Sequence, residues 1–275
     1  MLLQRVLTVL AALPLVLAAL LLLPNLYWGC LLIAALLVAA WEWGRLARIG
    51  PALRLLYCVL LAALCCVILW WQWAGAGRPQ FAFSPAGKLL YGAAVVFWLG
   101  VAPAWLWLRP RVRNPWLLAL VGAVVLVPFW HALVWLQTSP ATLLLALSVV
   151  WVADTAAYFV GRRFGRHKLA PEVSPGKTWE GVWGAMAAVA LYWVVLCAFL
   201  PEQRSRPISG LIGVWLMTLL SIVGDLFESW MKRVAGVKDS GTLLPGHGGI
   251  LDRIDSLTAV MPLVALYFAS TLKAA

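Results

Sequence analysis

Charge is what this sequence has least of. Only 11% of its 275 residues are charged, and Asp and Glu together number 10. Up to about residue 140 there is a single acid, Glu42. No repeat of fixed period, low-complexity linker or polar stretch of domain size breaks the chain, which speaks against a solenoid or an appended water-soluble domain. Cysteine is sparse as well. Cys30, Cys58, Cys65, Cys66 and Cys197 all fall in apolar segments without metal-ligand spacing. They are expected to serve as small buried hydrophobes rather than in disulfides or zinc sites.

What fills the chain is apolar. Hydrophobic residues make up 64% and the mean hydropathy is +0.93, against roughly one half apolar in soluble domains. A water-soluble fold of this size would expose large apolar patches. Runs near the length of a membrane-crossing helix recur throughout. The expected fold class is therefore an all-α, polytopic integral membrane protein of about nine transmembrane helices, at 2–23, 26–46, 53–73, 89–108, 116–136, 141–160, 179–200, 208–230 and 256–272. The first stretch outruns a usual signal-peptide core and lacks a convincing cleavage site, so it is expected to span. Prolines 14, 103, 128 and 262 fall inside segments, where a membrane helix tolerates them as kinks. Trp28, Trp41, Trp105, Trp116 and Trp179 stand at segment ends, where interfacial belts form.

Nine spans sort the basic residues unevenly. One side takes sixteen of the 21 Lys and Arg residues, from Arg5 through Arg45, Arg109, Arg162 and Lys177 to Arg253. The other side takes Arg78, Lys88, Arg204, Arg206 and Lys273. The richer side, with the N-terminus, is expected to be cytoplasmic. The net charge of +11 is thus accounted for by topology and anionic headgroups, and no nucleic acid is expected as a partner. Residues 1–140 read as scaffold helices and 141–275 as the catalytic region, with cytoplasmic loops at 161–178 and 231–255.

Against this background, Ser229 to Asp255 is dense in polar groups: Lys232, Arg233, Lys238, Asp239, His247, Asp252, Arg253 and Asp255. Ionisable groups inside spans are costly and mark function. Asp154, Asp225 and Glu228 lie within the last two turns of their expected spans, and Glu180 opens the next from the same side. Asp225, Glu228 and Ser229 share a helix face, and Glu228 is placed to pair with Lys232 at i, i+4. Gly236, Gly241, Gly246, Gly248 and Gly249 would let backbone amides approach an anion closely. The other loop offers Ser174, Lys177 and Thr178 before a helix start, a natural anion site. Its VSPGKTWEG lacks the spacing of a Walker A loop. Carboxylates beside lysines and loop amides suit phosphate with Mg²⁺, which takes one or two carboxylates plus phosphate oxygens and water. His247 in its loop reads as a hydrogen-bonding residue rather than a base. An ion-coupled transporter would place such acids near the midplane between repeated halves, and here they gather near one face.

Ser229, Met231, Lys232, Arg233, Lys238, Asp239, Gly241, Leu244, Pro245, His247, Gly248, Gly249, Ile250, Asp252, Arg253, Ile254 and Asp255 follow one another in a pattern that closely resembles the signature of phosphatidate cytidylyltransferases. The stretches 154–158 and 174–181 also look like that family. The resemblance runs from about residue 150 to 258. It implies transfer of the cytidylyl group of CTP to phosphatidate, giving CDP-diacylglycerol and diphosphate, with Mg²⁺, one cation or two. It further implies a homodimer in the inner membrane with its site facing the cytoplasm. On this reading Asp225 and Asp252 head the metal ligands, with Asp255 and Glu228 next. Lys177, Lys232, Arg233, Lys238 and Arg253 would neutralise phosphates; Ser174, Thr178, Ser229 and the Gly248 and Gly249 amides would donate hydrogen bonds. Asp154 would support the metal site or hold a helix crossing. A related CTP-dependent enzyme acting on another lipid would carry similar loops.

Overall fold

The computed structural model describes residues 13–73, 80–200, 203, 207–243 and 248–271. Residues 2–12 of the first expected span lie outside the described residues; the remainder forms an apolar helix α1, Leu13–Leu22. Then follow α2 (Asn25–Leu46), α3 (Pro51–Trp73), the single turn α4 (Gln80–Phe83), α5 (Pro85–Leu108), α6 (Pro115–Leu136), α7 (Pro140–Phe164), α8 (Trp179–Phe199), α9 (Pro207–Ala235) and α10 (Leu251–Thr271). All but α1 and α4 are long and apolar enough to cross a membrane, eight among the described residues. The polytopic helical reading stands.

Local chemistry sets the helix ends. Ser84 caps α5 by accepting from the Gly87 amide at 3.1 Å, and Asn114 caps α6 by accepting from Trp116 and Leu117. Proline at the first helical turn follows both caps, where its missing N–H costs nothing. α9 stops at Gly236, whose φ of +80° is left-handed. Its amide bonds back to Arg233 O and that of Val237 to Lys232 O, closing the last turn. Inside α5 a π turn, Phe97–Val101, precedes Pro103.

α6 is the central helix, buried along nearly all of its second half from Val125 to Leu136. A directional chain of hydrogen bonds ties it to its neighbours at one end of the bundle. Tyr91 Oη lies 2.6 Å from His131 Nδ1, and His131 Nε2 lies 2.6 Å from Gln72 Oε1. Gln72 Nε2 then donates to Asn25, Asn25 Nδ2 to Gln137, and Gln137 Nε2 to the carbonyls of Leu20 and Leu23. The acceptor at Gln72 fixes the imidazole as the Nε2–H tautomer, with the tyrosine donating to Nδ1. Such links join helices where lipid offers no competing partner.

The opposite end carries the basic loops. Arg109 pairs with Glu172 at 2.7 Å, Arg48 donates to Val234 O, Arg233 to Val173 O and Trp230 to Pro110 O. These contacts gather the loops after α2, α5 and α7 and the end of α9 at one pole, as the charge asymmetry requires. The loop after α7 also holds a short antiparallel hairpin, β1 (Lys168–Ala170) and β2 (Ser174–Thr178), with Lys168 opposite Thr178.

Two expectations about apolar groups change. Trp41, Trp116 and Trp179 are exposed, as a belt requires, but Trp28 is buried, its indole donating to Leu133 O, and Trp105 is half-buried. Among the cysteines, Cys58 and Cys65 are buried, whereas Cys30 and Cys66 lie on the outer surface. Phe227 explains where much of the inward aromatic mass goes. Phe97, Trp98 and Trp105 meet it edge-on at 5.3, 5.6 and 5.8 Å between ring centroids, and Trp43 stacks at 6.4 Å. The cage fixes the rotation of α9, and with it the neighbouring Glu228.

Candidate active site

α9 presents Asp225, Glu228, Ser229 and Lys232 at spacings that place them on one face. Ser229 Oγ donates to Asp225 Oδ1 at 3.3 Å. α10 brings Asp252 and Asp255 against that face, and the approach depends on Gly224. A Cβ there would stand 2.6 Å from the Asp255 carbonyl oxygen. Ser256 N–H donates to Asp255 Oδ1 at 2.7 Å.

Two lysines thread between these acids. Lys177, at the end of β2, puts Nζ 2.7 Å from Asp225 Oδ2. Lys232 Nζ sits 2.6 Å from Asp252 Oδ1 and 3.5 Å from Glu228 Oε1, so the i, i+4 pair forms. Asp255 lies beside Glu228 and within electrostatic range of Asp225 and Lys177, and Asp154 of α7 lies beside Ser256 within electrostatic range of Lys177 and Asp225. Asp252 Oδ2 accepts from the Ser240 amide at 3.0 Å and the Gly249 amide at 2.8 Å, and the Ser240 hydroxyl, with one proton to share between two carboxylates, also lies 3.0 Å away.

Burial grades the site. The side chains of Asp225 and Lys177 are 33% and 24% exposed, forming the mouth. Those of Lys232, Asp252 and Glu228 are 12%, 5% and 4% exposed, forming the floor. Five carboxyl groups, Asp154, Asp225, Glu228, Asp252 and Asp255, thus share two ammonium groups. Among the described residues neither Glu228 oxygen has a hydrogen-bond partner, although both are buried. Buried carboxylates facing each other call for a proton or a cation between them. A pocket so rich in acid would repel a polyphosphate unless further positive charge entered with it.

The model of the cytidylyltransferase family matches residues 3–271. The chain belongs to that family. It is 38% identical over 274 residues to the phosphatidate cytidylyltransferase of Pseudomonas aeruginosa, covering 96% of each chain. It is 37% identical over 290 residues to that of Haemophilus influenzae, covering 98% of this chain and 99% of the relative. The enzyme of Brucella suis is 45% identical over 130 residues, 46% of this chain and 47% of its own.

For a member of this family, the expected residues divide into those that converge and those that do not. Asp154, Lys177, Asp225, Glu228, Ser229, Lys232, Asp252 and Asp255 meet as described. Glu180 turns to His167 instead, accepting from its Nδ1 at 2.6 Å and from its backbone amide. Thr178 is buried and caps α8, accepting from the Gly181 amide at 3.2 Å, and Ser174 pairs with Ala170 in the hairpin. Lys238, Asp239 and Arg253 are exposed. The Gly249 amide is committed to Asp252, while Gly248 adopts φ +83°. His247 lies outside the described residues. Arg233 lines a separate basic cleft with Arg111, Arg113 and Trp230.

Glu42, Ser240 and Ser256 join this polar network although none stands out in the sequence as a site residue. Glu42 carried the same signal as the three acids singled out, an ionisable side chain inside an apolar span. It stands alone as an acid within residues 1–140, which otherwise read as scaffold. The two serines gave no signal of their own.

Proposed function

We propose that this chain transfers the cytidylyl group of CTP to phosphatidate, forming CDP-diacylglycerol and releasing diphosphate. One observation carries the reading: carboxylates from three helices and two lysines share one half-open pocket at the basic pole of a membrane bundle. An oxygen of the lipid phosphate attacks the α-phosphorus of CTP, and the bond from that phosphorus to the bridging oxygen of the diphosphate breaks. The attacking group is already an anion near neutral pH, so the pocket needs no strong base. Its task is to align two anions and absorb the charge that develops on the diphosphate.

The donor set fits a hard cation. The oxygen donors on offer are carboxylates and serine hydroxyls, and Mg²⁺ takes one or two carboxylates beside phosphate and water. Among the described residues no three acidic or imidazole side chains close on one point, so each Mg²⁺, one or two, would draw on one or two of Asp225, Asp252, Asp255 and Glu228 and complete its shell with phosphate and water. When bound, the cation supplies charge neutralisation between the acids and the triphosphate. Lys177 and Lys232 hold Asp225 and Asp252 in place, and an ammonium group carries three donors. Lys177, with one carboxylate partner at the mouth, thus has donors left for the triphosphate. Ser229 and Lys177 orient Asp225, and Ser240 orients Asp252.

The lipid half of the reaction is supported by an apolar crevice lined by Leu32, Leu36, Phe129, Trp130, Ile250 and Ile254. Its free volume is about 70 Å³, room for part of one acyl tail, and its two isoleucines flank Asp252 on the chain, so a tail seated against it would leave the headgroup beside the acids. The basic pole argues for a cytoplasmic site in the inner membrane. A homodimer belongs to the same proposal and rests on the resemblance; the mass of the detergent-solubilised protein tests it.

The deciding experiment follows diphosphate release by purified protein given CTP, phosphatidate and Mg²⁺. Release that stops with EDTA and resumes with added Mg²⁺ is expected. Activity only on a different lipid acceptor would replace the substrate, and release that persists in EDTA would remove the metal.

A further inference from the structure

We infer that Glu42, on the N-terminal helix α2, is a positioning residue of this active site. Its carboxylate is 3% exposed and accepts three hydrogen bonds. The Ile250 amide donates to Oε1 at 3.1 Å, and the Leu251 amide and Ser240 hydroxyl donate to Oε2 at 2.8 and 3.0 Å. Among the described residues no lysine or arginine pairs with it. Its charge is met by these donors and by the positive end of α10.

The loop is shaped around this group. A Cβ on Gly241 or Gly249 would collide with the Glu42 carboxylate, so glycine at both positions lets the loop close on it. Ser240 Oγ stands 3.0 Å from Glu42 Oε2 and also 3.0 Å from Asp252 Oδ2. Asp252 in turn grips Lys232 at 2.6 Å. A continuous polar chain therefore runs from α2 through Ser240 to the floor of the pocket. α2 itself is anchored by the next residue, Trp43, whose indole donates to Leu118 O at 2.7 Å. The three donors that hold Glu42 leave no place for an amide nitrogen, which would bring an N–H against N–H groups.

The inference rests on the cytidylyl-transfer reading only for its kinetic arm. In Glu42→Gln, hydrogen exchange at the Ile250 and Leu251 amides, read residue by residue, should accelerate well above that of the α6 amides. Turnover per folded molecule should fall about 100-fold, the cost of a displacement near 1 Å at a catalytic group. Ser240→Ala removes the hydroxyl that bridges Glu42 and Asp252 while keeping the backbone amides on both carboxylates, and should lose about tenfold in turnover. Unchanged exchange at both amides overturns the inference. So does faster exchange with wild-type turnover, which would make Glu42 a helix cap and nothing more. If Glu42→Gln fails to fold, wild-type turnover in Ser240→Ala overturns it instead. A wild-type protein inactive on CTP and phosphatidate would sink the reaction while leaving the exchange result to decide what Glu42 holds.

Discussion

Replacing Gly224 with alanine should cripple turnover with little loss of fold. At Gly224 α9 lies directly against α10, and the added Cβ would stand 2.6 Å from the Asp255 carbonyl oxygen and 3.2 Å from Ala259 Cβ. The first distance falls about 0.8 Å short of the 3.4 Å where ordinary contact begins. The obstacle is helix backbone, so it cannot rotate away as a side chain could; the helices must part by most of that amount. Asp225 follows Gly224 in the chain and Asp255 supplies the blocking carbonyl, so the shift falls on both carboxylates at once. A displacement near 1 Å costs on the order of 100-fold in rate, or about 2.7 kcal/mol of barrier. Alanine also favours the helix over glycine by up to about 1 kcal/mol, which offsets part of the packing strain in the folded state. The assay is diphosphate release at saturating CTP and phosphatidate, normalised to folded protein, with thermal unfolding in the same detergent. Gly213→Ala, on the same helix with nothing within 4 Å of its Cβ, is the control and should keep wild-type turnover. Wild-type turnover in Gly224→Ala would refute the claim that this crossing sets the carboxylate geometry.

Lys177→Met leaves Asp225 with Ser229 alone and should lower turnover by about 10² to 10³ without changing the unfolding temperature much; initial rates check it. His131→Leu strands the Tyr91 hydroxyl and a Gln72 oxygen in the apolar interior. It should cost about 1–3 kcal/mol in unfolding while turnover per folded molecule holds, because the break lies at the pole away from the site. Phe227→Ala empties the cage formed by Trp43, Phe97, Trp98 and Trp105 and should cost about 3–5 kcal/mol, read from the melting curve. Turnover in the surviving folded fraction should drop too, since Glu228 follows Phe227 on α9.

The bundle was legible because its signals are long and local. Runs of apolar residues mark the spans, and the excess of Lys and Arg sorts the loops into two sets. Within the site, Asp225, Glu228, Ser229 and Lys232 could be placed on one face by helical period alone. The pairing across helices could not. Nothing in the spacing says that Lys177 reaches Asp225, or that Lys232 takes Asp252 more closely than Glu228, because those contacts depend on how three chain segments pack. Glu180 shows the reverse case: it opens its helix at the depth expected, yet its carboxylate takes a local partner, His167. Glu42 is the instructive case, since its 209-residue separation from Leu251 hid its role.

The two poles of this bundle are fastened by different kinds of bond. Neutral amides, a phenol and an imidazole bind the pole near Gln137, while charged pairs such as Lys177 with Asp225 and Arg109 with Glu172 dominate the other. Dissolved ions weaken attractions between exposed charges but hardly touch hydrogen bonds between uncharged groups. Concentrated salt should therefore loosen this molecule from one side only, with the reaction failing well before the helices come apart.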